Sequence, residues 1–284
     1  MRSNIKAIVK KKLTKEIKEK VLIPCLEGHY LEHRNALVTG ASSGIGYAIA
    51  EAFLRNGAGV ILTGRNQAKL EKAKAALLDS VKCAPEKITA EILDISDTGT
   101  IEKRLSDILA GSKSDIDILV NNAGVNGGNL FPNTTEEEYD KILDTNLKGM
   151  YFVSQTVVKY MINKGIKGNV LNVTSSSALR PAISPYIVSK WGERGLTLGM
   201  AKKYLPYGII VNGIAPGSTL TPMLKADQVN DLHLDYSPAK RYLAPEEVAN
   251  MATILVSSMG RMIVGDTIYM TGGAGILTYD DMTY

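Results

Sequence analysis

The chain is poor in the residues that mark several common protein classes. It has two cysteines in 284 residues, Cys25 and Cys83, with no C-x-x-C pair and no metal-ligand cluster. A disulfide scaffold and a zinc site of the usual spacing are therefore excluded, no metal is expected, and two thiols in a reducing compartment are the reading. No apolar run approaches the roughly 18 residues of a membrane span. The basic start is followed by no apolar stretch that could serve as a signal peptide, so a cytoplasmic protein is expected. A broad basic face is missing too. The formal charge is +4, yet residues 1–20 alone hold eight basic side chains against Glu16 and Glu19. The remaining 25 basic and 27 acidic residues nearly cancel, which argues against nucleic-acid binding.

What is present is a regular alternation. Strand-like runs lie at Asn35–Thr39, Gly59–Thr63, Ile88–Leu93, Ile116–Asn121, Asn169–Thr174, Ile209–Ile214 and Thr267–Met270. Several are continuously apolar, as strands buried on both faces are. Helix-like periodicity separates them, for example over Gly44–Asn56, Gln67–Ser80, Thr135–Asn163, Pro185–Leu205 and Pro245–Ser257. The expectation is an α/β fold: a Rossmann-type doubly wound parallel sheet with helices on both faces, in one domain over residues 34–284. Residues 1–33 precede it as a basic extension.

The first strand runs into Thr39-Gly40-Ala41-Ser42-Ser43-Gly44-Ile45-Gly46, which opens the first long helix. Glycines are needed where backbone approaches a pyrophosphate, and helix N–H groups then face the phosphates. An ordinary tight turn has a similar composition, so placement between strand and helix carries the weight. The second strand ends in Gly64-Arg65 rather than in the acidic residue that binds the ribose hydroxyls of NAD. A guanidinium binds a 2′-phosphate in forked geometry, so NADP(H) is preferred over NAD(H). The alternative for Arg65 is a solvated surface side chain.

Tyr186 and Lys190 stand four residues apart at the start of a helix, on one face. A phenol is a poor acid or base near neutrality, and a neighbouring ammonium stabilises its ionised form. Upstream, a strand ends in the hydroxyls Thr174, Ser175 and Ser176. Strand ends carry the site in a parallel sheet, so one of the three can bond a substrate oxygen.

In combination these features resemble the short-chain dehydrogenase/reductase family over residues 34–275. Thr39–Gly46 matches its TGxxxGxG, Asn121-Asn122-Ala123-Gly124 its NNAG, and Tyr186 with Lys190 its YxxxK. The resemblance implies that Gly40, Ser42, Ser43, Gly44, Ile45 and Gly46 hold the cofactor phosphates. It puts Asp94, Ile95, Asn122, Ala123 and Gly124 by the adenosine, and Pro216, Gly217, Thr219 and Thr221 by the nicotinamide. It further implies Ser175 as the group that positions substrate oxygen and Tyr186 as proton donor or acceptor. Lys190 would bind ribose and tune the tyrosine, and Asn146 would hold a water that links Lys190 to solvent. Two departures stand out: ten residues separate Ser175 from Tyr186, slightly fewer than is common, and Thr271-Gly272-Gly273 replaces Asp-Gly-Gly. The second bears on a turn or a subunit contact rather than on chemistry.

The implied function is hydride transfer between NADP(H) and a small-molecule carbonyl or secondary alcohol. Its rivals are a non-catalytic NADP(H)-binding sensor or scaffold, and a sugar-nucleotide epimerase or dehydratase. Both scaffold candidates for loss, Tyr186 and Lys190, are present, and the 98 residues after Tyr186 are few for an epimerase. Leu220–Tyr242, with Met223, His233, Tyr236 and Arg241, occupies the place of the family's variable substrate lid and does not name a substrate. Apolar residues Ile5, Ile8, Val9, Leu13, Ile17 and Val21 predict an amphipathic basic helix. Packing on this or a neighbouring subunit, a mobile tail, or peripheral membrane contact through residues 1–21 are its readings; the lack of Trp and Phe disfavours the last. The resemblance implies a homodimer or homotetramer.

Overall fold

The computed structural model describes residues 23–224 and 232–278. The expected helix of residues 1–21 and the centre of the lid segment therefore lie outside the described residues.

Seven strands form one sheet: β1 (Asn35–Thr39), β2 (Gly59–Gly64), β3 (Ile88–Ile92), β4 (Ile118–Asn121), β5 (Asn169–Val173), β6 (Ile210–Pro216) and β7 (Thr267–Met270). Their order is β3-β2-β1-β4-β5-β6-β7 and every pairing is parallel. The helices are α1 (Gly44–Arg55), α2 (Gln67–Val81), α3 (Thr98–Gly111), α4 (Glu136–Leu143), α5 (Met150–Asn163), α6 (Pro185–Tyr204) and α7 (Pro245–Val256). Helix α3 was not singled out by the sequence pattern.

Alternation along each strand builds two cores. Ala36 and Val38 of β1 face a cluster with Ile49 and Phe53 of α1, Leu70 and Leu77 of α2, and Val248, Ala252 and Leu255 of α7. Leu37, between them, faces Ile101 and Leu105 of α3, Val153 and Val157 of α5, and Met200 of α6. Side chains of successive strand residues point to opposite faces, so a run such as Ala-Leu-Val must be apolar throughout. The winding direction reverses between β1 and β4, which opens a crevice beyond their carboxyl ends.

Residues 24–33, assigned to the extension by the sequence, pack on the body instead. Leu31 is fully buried in the first core. Asn56 Nδ2 donates to Leu26 O at 2.6 Å, and Asn250 of α7 bonds both Pro24 O and Leu26 N. These backbone groups find their partners on Asn56, just past the end of α1, and on Asn250 of α7.

The single helix expected over Thr135–Asn163 is also interrupted. A capping box starts α4, with Glu138 N donating to Thr135 Oγ1 and Thr135 N to Glu138 Oε2. Asp144–Gly149 then forms a wide π-helical turn before α5 continues. The physical cause is close packing. A Cβ on Gly149 would stand 2.3 Å from Ile95 O, so this turn lies directly against the chain that follows β3.

Candidate active site

The crevice is a cavity of about 400 Å³. Its floor is made by the ends of β1 and β4. Thr39 Oγ1 accepts from Asn122 N at 2.9 Å and from Ala123 N at 3.0 Å. In return Asn122 Nδ2 donates to Thr39 O and Gly40 O. Gly40 has φ +65°, and a Cβ there would meet Ala123 Cα at 2.8 Å, so both conformation and space require glycine. Ser43 precedes α1 without a side-chain cap, which leaves the first helical N–H groups turned to the cavity.

Gly40, Ser42, Ser43, Gly44, Ile45, Arg65, Asp94, Ile95, Asn122, Ala123, Gly124, Ser175, Tyr186, Lys190, Pro216, Gly217, Thr219 and Thr221 all line this cavity. Two of the expected residues do not. Gly46 stands behind the wall, where a Cβ would come within 2.4 Å of Asn122 Nδ2 and 2.6 Å of Gly40 O. Its part is to let α1 approach the β1–β4 junction. Asn146 is 1% exposed. Its Oδ1 accepts from Val125 N at 2.8 Å, and its Nδ2 donates to Val125 O at 2.9 Å and to Ser189 Oγ at 3.1 Å. The amide side chain is thus committed to protein partners. The π-helical turn carries that amide to the chain leaving β4.

At the far end, Arg65 is joined by Asn66 and Lys69. Asn66 Oδ1 caps α2 by accepting from Lys69 N at 2.9 Å, which brings Lys69 back beside Arg65. Sequence reasoning missed Lys69, although its place one turn after Arg65 was readable. Asp94 lines the wall, with Oδ1 accepting from Ser96 N and Ser96 Oγ.

At the near end stand the hydroxyls. Thr174 and Ser175 line the cavity and Ser176 does not. Thr174 Oγ1 donates to Ile214 O, whereas Ser175 Oγ accepts from Ser177 N at 3.1 Å. Among the described residues, Ser175 gives its own proton to no protein acceptor. Ser184 Oγ caps α6 by accepting from Ile187 N, and Pro185 takes the first helical position, where no N–H is needed. Tyr186 thus sits in the first turn, with Lys190 Nζ 5.5 Å from its ring centroid.

Lys190 Nζ also donates to both carboxylate oxygens of Glu193, at 2.8 and 3.0 Å. Burial opposes the charge on Lys190, but the Glu193 carboxylate and the negative charge of Tyr186 when ionised outweigh it and hold the ammonium above the usual lysine range. Burial pushes the Glu193 carboxyl up to about 7, against the pull of Lys190. Sequence reasoning passed over Glu193, which reads as a surface position until α6 is docked.

The opposite rim is the chain after β6. Thr219 Oγ1 donates to Gly217 O at 3.0 Å, and Gly217 packs on Thr271, where a Cβ would stand 3.0 Å from Thr271 Cα. Thr271 Oγ1 accepts from Gly273 N, so the Thr-Gly-Gly departure makes a structural turn behind this loop. In the lid segment Met223 reaches the cavity, Arg241 is held by Glu247 at 2.7 Å, and His233 bonds Asp235 at the surface.

A family model described as short chain dehydrogenase matches residues 34–231. The gluconate 5-dehydrogenase of Gluconobacter oxydans is 32% identical over 249 residues, 86% of this chain and 95% of that protein. The crystal structure of 3-ketoacyl-(acyl-carrier-protein) reductase from Brucella melitensis, complexed with NADH, superposes with a TM-score of 0.76 at 30% identity, covering 87% of this chain and all of that one. A gluconate 5-dehydrogenase from Burkholderia cenocepacia, in complex with NADP and tartrate, does so with a TM-score of 0.77 at 30% identity, covering 86% and 96%.

Proposed function

The chain belongs to the short-chain dehydrogenase/reductase family of oxidoreductases, and from that premise we propose that it transfers hydride between NADP(H) and a carbonyl or secondary-alcohol carbon, with Tyr186 as general acid and base. One observation carries the reading: a single cavity has Ser175, Tyr186 and Lys190 at one end and Arg65 with Lys69 at the other.

The residues fit a dinucleotide. The uncapped N–H groups of α1 and the approach at Gly40 suit a pyrophosphate. Arg65 and Lys69, with Gly64 where an acid would repel it, suit a 2′-phosphate. The structures of relatives include one with NADH and one with NADP, so the preference for NADP(H) rests on these side chains. Asp94, Ile95, Asn122, Ala123 and Gly124 would border the adenosine, and Pro216, Gly217, Thr219 and Thr221 the nicotinamide. When bound, the cofactor supplies or accepts the hydride.

The chain's own residues manage the oxygen and its proton. In the reductive direction Ser175 Oγ donates to the substrate oxygen and holds it beside Tyr186. Tyr186 gives its phenolic proton to that oxygen as negative charge develops there. The Lys190 ammonium offsets the charge left on the phenol and offers its remaining N–H to the ribose. Asn146 acts from behind, fixing Val125 and hence the Gly124 backbone next to Lys190. Proton transfer from a positioned side chain contributes about 10²–10⁴-fold to rate. We further propose self-association into a dimer or tetramer through Tyr151 and Phe152 of α5 and Val188, Trp191 and Leu198 of α6, which are exposed. Light scattering on the purified protein tests it. We propose the cytoplasm as the compartment from the reading of Cys25 and Cys83 as thiols; separately, no described helix is long and apolar enough to cross a membrane.

The test is a fluorescence titration with NADPH and NADH, followed by a carbonyl panel scored by loss of nicotinamide absorbance. Tight NADPH binding with turnover of a ketone or aldehyde, abolished in Tyr186→Phe, is expected. Turnover that survives Tyr186→Phe would remove the acid from the mechanism, and no binding of either cofactor would end the reading.

A further inference from the structure

Glu193 is a buried titratable group that the mechanism above does not use. It lies on α6, three residues beyond Lys190 and seven beyond Tyr186, so all three share one helix face. Its side chain is 2% exposed and does not line the cavity. Both of its oxygens lie within 3.0 Å of Lys190 Nζ, and no other side chain donates to them among the described residues.

We infer that Glu193 is a positioning residue: its carboxylate grips the Lys190 side chain from behind and keeps it an ammonium aimed into the cavity. This rests on the proposed role of Lys190. An ammonium has three N–H donors, and a carboxylate on its far side takes no more than two. At least one is left toward Tyr186 and the ribose position. The grip also fixes a four-carbon stem that would otherwise sample many rotamers.

The electrostatics give the pair a purpose. A lone buried ammonium tends to lose its proton rather than its low-dielectric surroundings. Here burial does act against Lys190, and Glu193 is first among the groups that overcome it. No other charged group acts on Glu193 among the described residues. Around the pair, Asn172 and Thr197 are neutral and bond each other, and Asn146 and Gly124 on the cavity side are neutral as well. Arg194, the next residue on the helix, faces the Trp191 ring instead. Replacing Glu193 with a neutral side chain thus leaves Lys190 with burial as the dominant influence. Its charge, and whatever depends on it, is then lost as pH rises.

The experiment uses the full chain labelled with ¹³Cε-lysine, with the Lys190 resonance assigned through Lys190→Arg. Wild type, Glu193→Gln and Glu193→Asp are titrated from pH 6 to 10, and NADPH affinity is measured by fluorescence across the same range. In wild type and Glu193→Asp the Lys190 resonance stays in its protonated position to pH 10. In Glu193→Gln it titrates below pH 10, and NADPH affinity falls at least tenfold between pH 7 and 10 relative to wild type. A Glu193→Gln resonance that follows wild type overturns the inference. So does an affinity offset that is equal at every pH, the mark of a merely structural role. If wild type binds no NADPH while the resonance shifts as expected, the proposed function falls and the grip on Lys190 stands.

Discussion

Thr39→Val separates the hydroxyl of one residue from its shape. Thr39 closes β1 and is 1% exposed. Its Oγ1 accepts from two backbone N–H groups, of Asn122 and Ala123, and donates to Val120 O at 3.2 Å. Valine places a methyl where the hydroxyl stood, so neither a cavity nor a clash is introduced. What is lost is the acceptor. An unsatisfied buried donor costs about 1–3 kcal/mol, and Asn122 and Ala123 are only half-buried, which favours the lower part of that range. The sum is about 2–4 kcal/mol, or a fall in Tm on the order of 10 °C for a domain of this size. Thr39→Ser keeps the hydroxyl and gives up one buried methyl, worth about 1 kcal/mol. Thermal denaturation followed by circular dichroism, with both variants beside wild type, reads the difference. The valine variant melts well below the serine variant and binds NADPH more weakly, because the floor of the cavity is displaced. A valine variant as stable as the serine one would refute the claim that this hydroxyl ties β1 to β4.

Other variants probe the remaining features. Gly46→Ala drives a methyl into Asn122 Nδ2 and Gly40 O; overpacking of this kind costs about 1–3 kcal/mol, read as a lower Tm together with weaker NADPH binding. Arg65→Ala weakens NADPH binding roughly 10–100-fold, the value of a charged hydrogen bond, and leaves NADH little changed; equal losses for both cofactors would exclude Arg65 as the phosphate reader. Lys69→Ala moves the same ratio in the same direction. Gly195 and Gly199 have nothing within 4 Å of an added Cβ in this chain but share the α6 face of Trp191 and Leu198 proposed to self-associate, so changing both to Ala favours the isolated helix by about 1–2 kcal/mol while crowding that contact; a mass by light scattering unchanged from wild type would place the contact elsewhere. Because burial raises the Glu193 carboxyl to about 7, the folded state holds that proton more tightly than the unfolded chain. Stability from this group is therefore present at low pH and lost as pH rises from about 4.5 to 7, by up to about 3 kcal/mol. Glu193→Gln flattens that part of the stability profile, as urea denaturation at pH 4.5 and 7.5 would measure.

Much of the fold was decided by local pattern. The bounds expected for β1 and β7 are the observed ones, and the Ala-Leu-Val run inside β1 is apolar throughout because both faces of that strand are buried. The glycine turn, the Arg65 end and the Tyr186–Lys190 spacing were equally local, each being a matter of a few consecutive residues or one helical turn. Tertiary structure decided what depends on a partner distant in sequence. The break at Asn146 exists because its amide meets Val125 and because Gly149 must pass Ile95 O, contacts invisible to helical periodicity. Residues 24–33 pack on the body because Asn56, just past the end of α1, and Asn250 of α7 present partners for their backbone. The choice among Thr174, Ser175 and Ser176 needed the direction of each hydroxyl at the end of β5. Glu193 became a buried counter-charge only when α6 docked on the sheet, since burial is a property of the assembled layers and not of the helix that carries the residue.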